Sequence, residues 1–120
     1  MSIKVGNKII ETDEEGYLIN LEDWSDEVAE EMAYQESLHD QVTLTETQWG
    51  LINYFRDYFH ENQEHPSMHK LVMTLGKYHG EHFHDHKEYE KFLYKLFPRG
   101  PVAELCKLAG LPKPVEEFED

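Results

Sequence analysis

Four of the chain's five prolines fall between residues 98 and 114, and they leave the end of the chain little choice of fold. A proline fixes φ, lacks an N–H and pushes the residue before it out of the helical region. Pro98 therefore ends any helix that reaches it. Pro101 suits the first position of a new helix, where the missing N–H removes no hydrogen bond. Val102, Leu105, Cys106 and Ala109 continue that helix, and Gly110 stands where a helix takes its C′ residue. Leu111-Pro112-Lys113-Pro114 cannot be helical. It is predicted as an extended arm, made stiff by its prolines before any partner is met. Such an arm enters a cleft at a lower ordering cost than a Gly/Ser tail.

Upstream, the apolar spacing changes period. Ile3-Lys4-Val5 and Lys8-Ile9-Ile10 flank Gly6-Asn7, a two-residue hairpin signal. Asp13-Glu14-Glu15-Gly16 is a second turn, and Tyr17-Leu18-Ile19 is expected to add a short third strand. A first helix is expected from Trp24-Ser25, with Ser25 as N-cap and Asp26 and Glu27 at the positive end of the dipole. Trp24, Val28 and Met32 share its apolar face, and Ser37 to Val42 reads as a loop. Thr45 and Gln48 form a capping-box pattern, followed by Trp49, Ile52, Phe55 and Phe59 at helical spacing, a core stripe. Pro66 is expected to open a third helix carrying Met68, Leu71, Val72 and Leu75, closed at Gly76 or Gly80. A fourth runs from about Asp85 to Phe97 with Tyr89, Leu93 and Leu96 on one face. The expected fold is mostly α with a small N-terminal β-hairpin (α+β) and about five helices. One domain over residues 1–120, with 110–120 as a C-terminal arm, accounts for the length.

The formal net charge is −14, with only eleven Lys and Arg. Nucleic-acid binding relies on cations that displace phosphate counterions, so this balance argues against it. The acidic excess favours solubility and a basic partner surface. No run of about 18 apolar residues exists, so no membrane span is expected, and a start of Met1-Ser2-Ile3-Lys4 implies a cytoplasmic location. Cys106 is the one cysteine. It is either a small buried apolar group or a reactive thiol. Its place on the last helix, next to Lys107, is one that can favour a thiolate.

Phe97-Pro98-Arg99-Gly100-Pro101, a short helix, then Ala109-Gly110-Leu111-Pro112-Lys113-Pro114 resembles the C-terminal signature of the DsrC/TusE family of sulfur-relay proteins. The likeness extends through Asp13-Glu14-Glu15-Gly16-Tyr17-Leu18, Asp23-Trp24 and Tyr54-Phe55-Arg56-Asp57-Tyr58, and so covers nearly the whole chain in order. The resemblance implies a mobile C-terminal arm. In TusE-like members a cysteine near the arm's end accepts persulfide sulfur from a partner complex and passes it toward tRNA 2-thiouridine synthesis. In DsrC-like members the arm serves dissimilatory sulfite reductase, and a further cysteine stands at the position of Cys106. The family's terminal cysteine would fall at Glu117, and a carboxylate cannot form a persulfide.

The resemblance therefore implies a sulfur-trafficking accessory protein with no cofactor, a monomer, with Cys106 as candidate sulfur carrier. Arg99, Lys107, Gly110, Leu111, Pro112, Lys113 and Pro114 would dock to a sulfurtransferase complex (TusBCD/DsrEFH-like) or a sulfite-reductase-like protein. The alternative is a non-catalytic regulatory or binding member. A DNA-binding regulator, built on a helix-turn-helix of the third and fourth helices, is the third reading. His79, His82, His84 and His86 could supply imidazoles to a transition metal, but their spacing matches no closed zinc motif and no metal is expected.

Overall fold

The computed structural model describes residues 1–36, 44–75 and 86–114, with the backbone alone for Glu36, Leu75 and His86. The expected loop at 37–42, the closing glycines Gly76 and Gly80, and the residues after Pro114 lie outside the described residues.

Strands β1 (Ser2–Val5) and β2 (Lys8–Glu11) pair antiparallel, with Ile3 opposite Ile10. Gly6 supplies the positive φ of 61° that the first central residue of a tight hairpin turn needs. The period of two puts Ile3 and Ile10 on the buried face and leaves Ile9 60% exposed. The third strand does not form; Thr12 and Leu18 make an isolated bridge instead. Tyr17 and Leu18 are consecutive and both buried, which the alternation of a flat strand forbids. Tyr17 is drawn out of line because its hydroxyl donates to the Ala103 carbonyl at 3.2 Å.

After a 3-10 turn at Leu21–Asp23, helix α1 (Asp26–Glu36) starts on Ser25, whose hydroxyl accepts the Val28 N–H at 3.2 Å. Val28, Ala29, Met32 and Ala33 are its buried stripe. Helix α2 (Glu46–Asn62) carries the complete capping box: the Thr45 hydroxyl accepts the Gln48 N–H (3.2 Å) and the Gln48 side chain accepts the Thr45 N–H (2.9 Å). Ile52 and Phe55 are fully buried, and Trp49 and Phe59 flank them half-buried. Helix α3 (Met68–Leu75) begins two residues later than Pro66 suggests. Ser67 is the cap, its hydroxyl accepting the Lys70 N–H at 3.0 Å, because a side-chain oxygen satisfies an open N–H that proline cannot. Helix α4 (His86–Leu96) buries Tyr89 and Leu93, and Phe97 follows it into the core. Burial pushes the Tyr89 hydroxyl up to about 12.

Helix α5 (Pro101–Leu108) is short but central, packing against α1, α2 and α4. Pro101, Val102, Leu105, Cys106 and Leu108 are all buried. A fully buried apolar side chain is worth about 1.5–3 kcal/mol relative to exposure, so these side chains make an eight-residue helix stable that would not persist alone. Among the described residues the fold is five helices and one two-stranded hairpin, the class the periodicities imply. No helix among them is long and apolar enough to cross a membrane.

Thr45→Ala removes the hydroxyl half of the capping box. It is expected to lower stability by about 1 kcal/mol, read as a fall in the urea midpoint with the slope unchanged.

Candidate functional site

The arm leaves the domain from the C-terminal end of α5, and that end is held unusually completely. The last carbonyls of a helix have no intrahelical partner. Here the Gly110 N–H donates to the Lys107 carbonyl (3.1 Å) and the Leu111 N–H to the Cys106 carbonyl (2.9 Å). This pair of bonds is the Schellman motif, and Gly110 has the positive φ (72°) that it requires. The Leu108 carbonyl accepts the Trp24 indole N–H at 2.7 Å, and the Ala109 carbonyl accepts an Arg56 Nη1–H at 2.8 Å. The Arg56 guanidinium lies 3.8 Å from the Trp24 ring centroid, so the two donors also hold each other. Burial lowers the Arg56 pKa, with Asp57 and Asp26 acting in the opposite direction. Trp24 closes the space beside Gly110 as well: a Cβ there would lie 2.4 Å from the indole ring.

This closure decides where the arm begins. Gly110 and Leu111 are buried, Leu111 at 4% exposure, whereas Pro112 and Lys113 are exposed and Pro114 is half-buried. A buried C″ residue is what the Schellman motif brings, packing back on the helix. The expected arm of 110–120 is thus anchored through Leu111, and its accessible part starts at Pro112. Beside it a groove of about 390 Å³ is lined by Leu111, Pro112, Lys113, Pro114, Tyr58, Phe59 and His65. The Lys113 ammonium donates to the Glu15 carboxylate, a bond that raises the Lys113 pKa.

Cys106 is 0% exposed. It sits in the last turn of α5, two residues from its end, at the negative end of the helix dipole. The positive helix end and the solvent contact that activate thiolates are both missing at this position. Lys107 reaches the other way, its ammonium 5.3 Å from the Tyr17 ring centroid and packed on Gly16. Burial, reinforced by the nearby Cys106 and acidic groups, raises the Tyr17 pKa. Arg99 is exposed in the turn before Pro101. That is the opposite end of α5 from the arm, about 12 Å away along a helix of eight residues. Arg99 and Lys113 are therefore not brought together by this helix. His79, His82 and His84 lie outside the described residues, and of His86 only the backbone is described.

Residue periodicity marks Trp24 only as a helix-face residue and gives Arg56 no role. One signal was present. Arg56 is the only Lys or Arg between Lys8 and Lys70, in a stretch crowded with carboxylates. A solitary cation in such company has a specific partner to find.

A family model described as DsrC like protein matches residues 4–116. The chain belongs to that DsrC-like family. It is 39% identical over 109 residues to the sulfurtransferase TusE of Yersinia pseudotuberculosis, covering 91% of this chain and 94% of that protein. To the sulfurtransferase TusE of Escherichia coli K12 it is 37% identical over 109 residues, covering 91% and 93%. Its fold is similar to the NMR structure of Allochromatium vinosum DsrC, with TM-score 0.77 and 42% identity over 98% of this chain and 100% of that one. It is also similar to the oxidized gamma-subunit of the dissimilatory sulfite reductase (DsrC) from Archaeoglobus fulgidus, with TM-score 0.78 and 35% identity over 98% and 100%. Motifs in the Asp13–Gly16 turn, just before α1, on α2 and around α5 that carried the resemblance converge in this DsrC-like chain: Glu15, Trp24 and Arg56 all meet the segment 108–113.

Two outcomes are expected. Gly110→Ala should cost about 2–4 kcal/mol, from left-handed strain plus the clash with Trp24, measured by chemical denaturation. The Cys106 thiol should react with a maleimide at least about a hundredfold more slowly in the native protein than in guanidinium, since labelling must wait for an opening of the core.

Proposed function

We propose that this chain works in sulfur relay as a docking member of its family, with the arm from Pro112 onward received by a partner's cleft and Cys106 kept out of the chemistry. The relatives named sulfurtransferase TusE and the sulfite reductase gamma-subunit support a place in sulfur trafficking. The observation that carries the docking form is the pairing of a sealed thiol with a projecting arm on one helix: Cys106 is 0% exposed while Pro112 and Lys113 are open to solvent. The partner is a sulfurtransferase complex or a sulfite-reductase-like protein, the classes that the family resemblance implies. Glu117, where the family's terminal cysteine would fall, offers a carboxylate and no sulfur. Transfer through this chain would therefore require Cys106 to leave the core.

The anchoring of Leu111 sets the right test. Truncation after Ala109 would remove the donors that cap α5 and would report on folding. Truncation after Leu111 leaves those donors in place and removes Pro112 onward. Pull-downs are expected to lose a sulfurtransferase or sulfite-reductase-like partner when the chain ends at Leu111, and to keep it in Cys106→Ala. Incubation with a persulfide donor should leave the intact mass of the native protein unchanged. A gain of one sulfur at Cys106, or partner binding that survives the truncation, would reject the docking form.

A further inference from the structure

The arm is held at two places of different character. Its root is fixed by the Leu111 N–H on the Cys106 carbonyl at 2.9 Å and by the half-buried Trp24 and Arg56 side chains, which donate to the Leu108 and Ala109 carbonyls. Beyond Leu111 the support is lighter. On the α2 side the arm borders the groove of about 390 Å³, so it lacks close packing along that flank. On the other side Lys113 reaches Glu15.

Glu15 is placed to receive that ammonium. The turn that bears it is closed by the Asp13 carboxylate, which accepts the N–H groups of Glu15 (2.8 Å) and Tyr17 (3.0 Å), and by the Gly16 N–H on the Asp13 carbonyl (3.1 Å). The Tyr17 hydroxyl then ties the turn to the Ala103 carbonyl of α5 at 3.2 Å. The same helix therefore carries both the arm's root and the platform on which Lys113 rests. Both partners of the pair are about half exposed, Lys113 at 53% and Glu15 at 56%. A pair so exposed changes a population only about two- to fivefold. That is enough to bias the arm and too little to lock it.

We propose that Glu15 is a positioning residue for the arm: it holds Lys113 against the Asp13–Gly16 turn, so that the arm moves about the Leu111–Pro112 joint while its root stays fixed. The purpose of this catch, presenting the arm to a partner or withholding it, rests on the docking reading above; the catch itself does not.

The experiment needs only the full-length protein, labelled with 15N. The heteronuclear NOE of the residue 113 amide reports order on the ps–ns timescale, and the Leu111 amide is the internal reference. In the native protein both amides are expected to be ordered. Glu15→Lys and Lys113→Glu should each lower the residue 113 value, consistent with an open population about two- to fivefold larger, with Leu111 unchanged. The double variant Glu15→Lys/Lys113→Glu should restore it, which a merely structural role for either residue would not do. Raising NaCl to about 0.5 M should reproduce the single variants by screening the exposed pair. Residue 113 already mobile in the native protein, single variants without effect, or a double variant that fails to restore order would each overturn the proposal. A negative pull-down would bear on docking alone, because no partner is present in this measurement.

Discussion

The structure depends on how the C-terminal end of α5 (Pro101–Leu108) is satisfied. A helix buried among three others brings with it carbonyls that water cannot reach, and an unpaired buried polar group costs about 1–3 kcal/mol. The chain meets this with two backbone bonds from Gly110 and Leu111 and two side-chain bonds from Trp24 and Arg56. The contributors lie far apart in sequence, before α1, in the middle of α2 and after α5. One set of hydrogen bonds therefore closes the core, joins α2 and the segment before α1 to α5, and fixes the point from which the arm departs. No buried side-chain nitrogen or oxygen among the described residues is left without a partner.

The same closure explains the state of the thiol. Cys106 lends its carbonyl to the cap while its side chain lies wholly inside. Exposing it would mean loosening the Leu111 bond and the packing beneath it, a change in the core and not in a surface loop. An accessible arm and an inaccessible cysteine are thus two results of one arrangement. On the proposed docking reading, that arrangement suits recognition more than chemistry, in a chain that carries Glu117 where the family resemblance implies the terminal cysteine.

Charge adds a second layer. In a molecule of net charge −14, cations that meet specific partners stand out. Arg56 is spent internally, stacked on Trp24 and bonded to Ala109. Lys113 is at the surface, paired with a carboxylate that solvent also reaches. The first interaction is partly buried and is screened less by salt; the second is more exposed and yields to it. The arm's root and its contact at Lys113 differ in permanence for that reason.

Local signals determined much of this protein. The hairpin around Gly6-Asn7, the Thr45–Gln48 box, the stop at Pro98, the start at Pro101 and the Gly110 turn are short-range steric and hydrogen-bond requirements, and each appears where its residues stand. Where a short-range signal had a rival, the structure chose: Ser67 capped α3 in place of Pro66, and Tyr17 left the strand to reach Ala103. Periodicity could not say which exposed-looking residues would be drawn in. Leu111 is buried, Trp24 and Arg56 hold the end of α5 from which the arm departs, and Glu15 meets the arm at Lys113, because α5 runs through the middle of the fold and brings its end among them. Those contacts span between 53 and 98 residues of chain, and no local pattern encodes a partner at that separation. The sequence by itself determined the elements and the family; packing around α5 decided that the thiol is closed and the arm begins at Pro112.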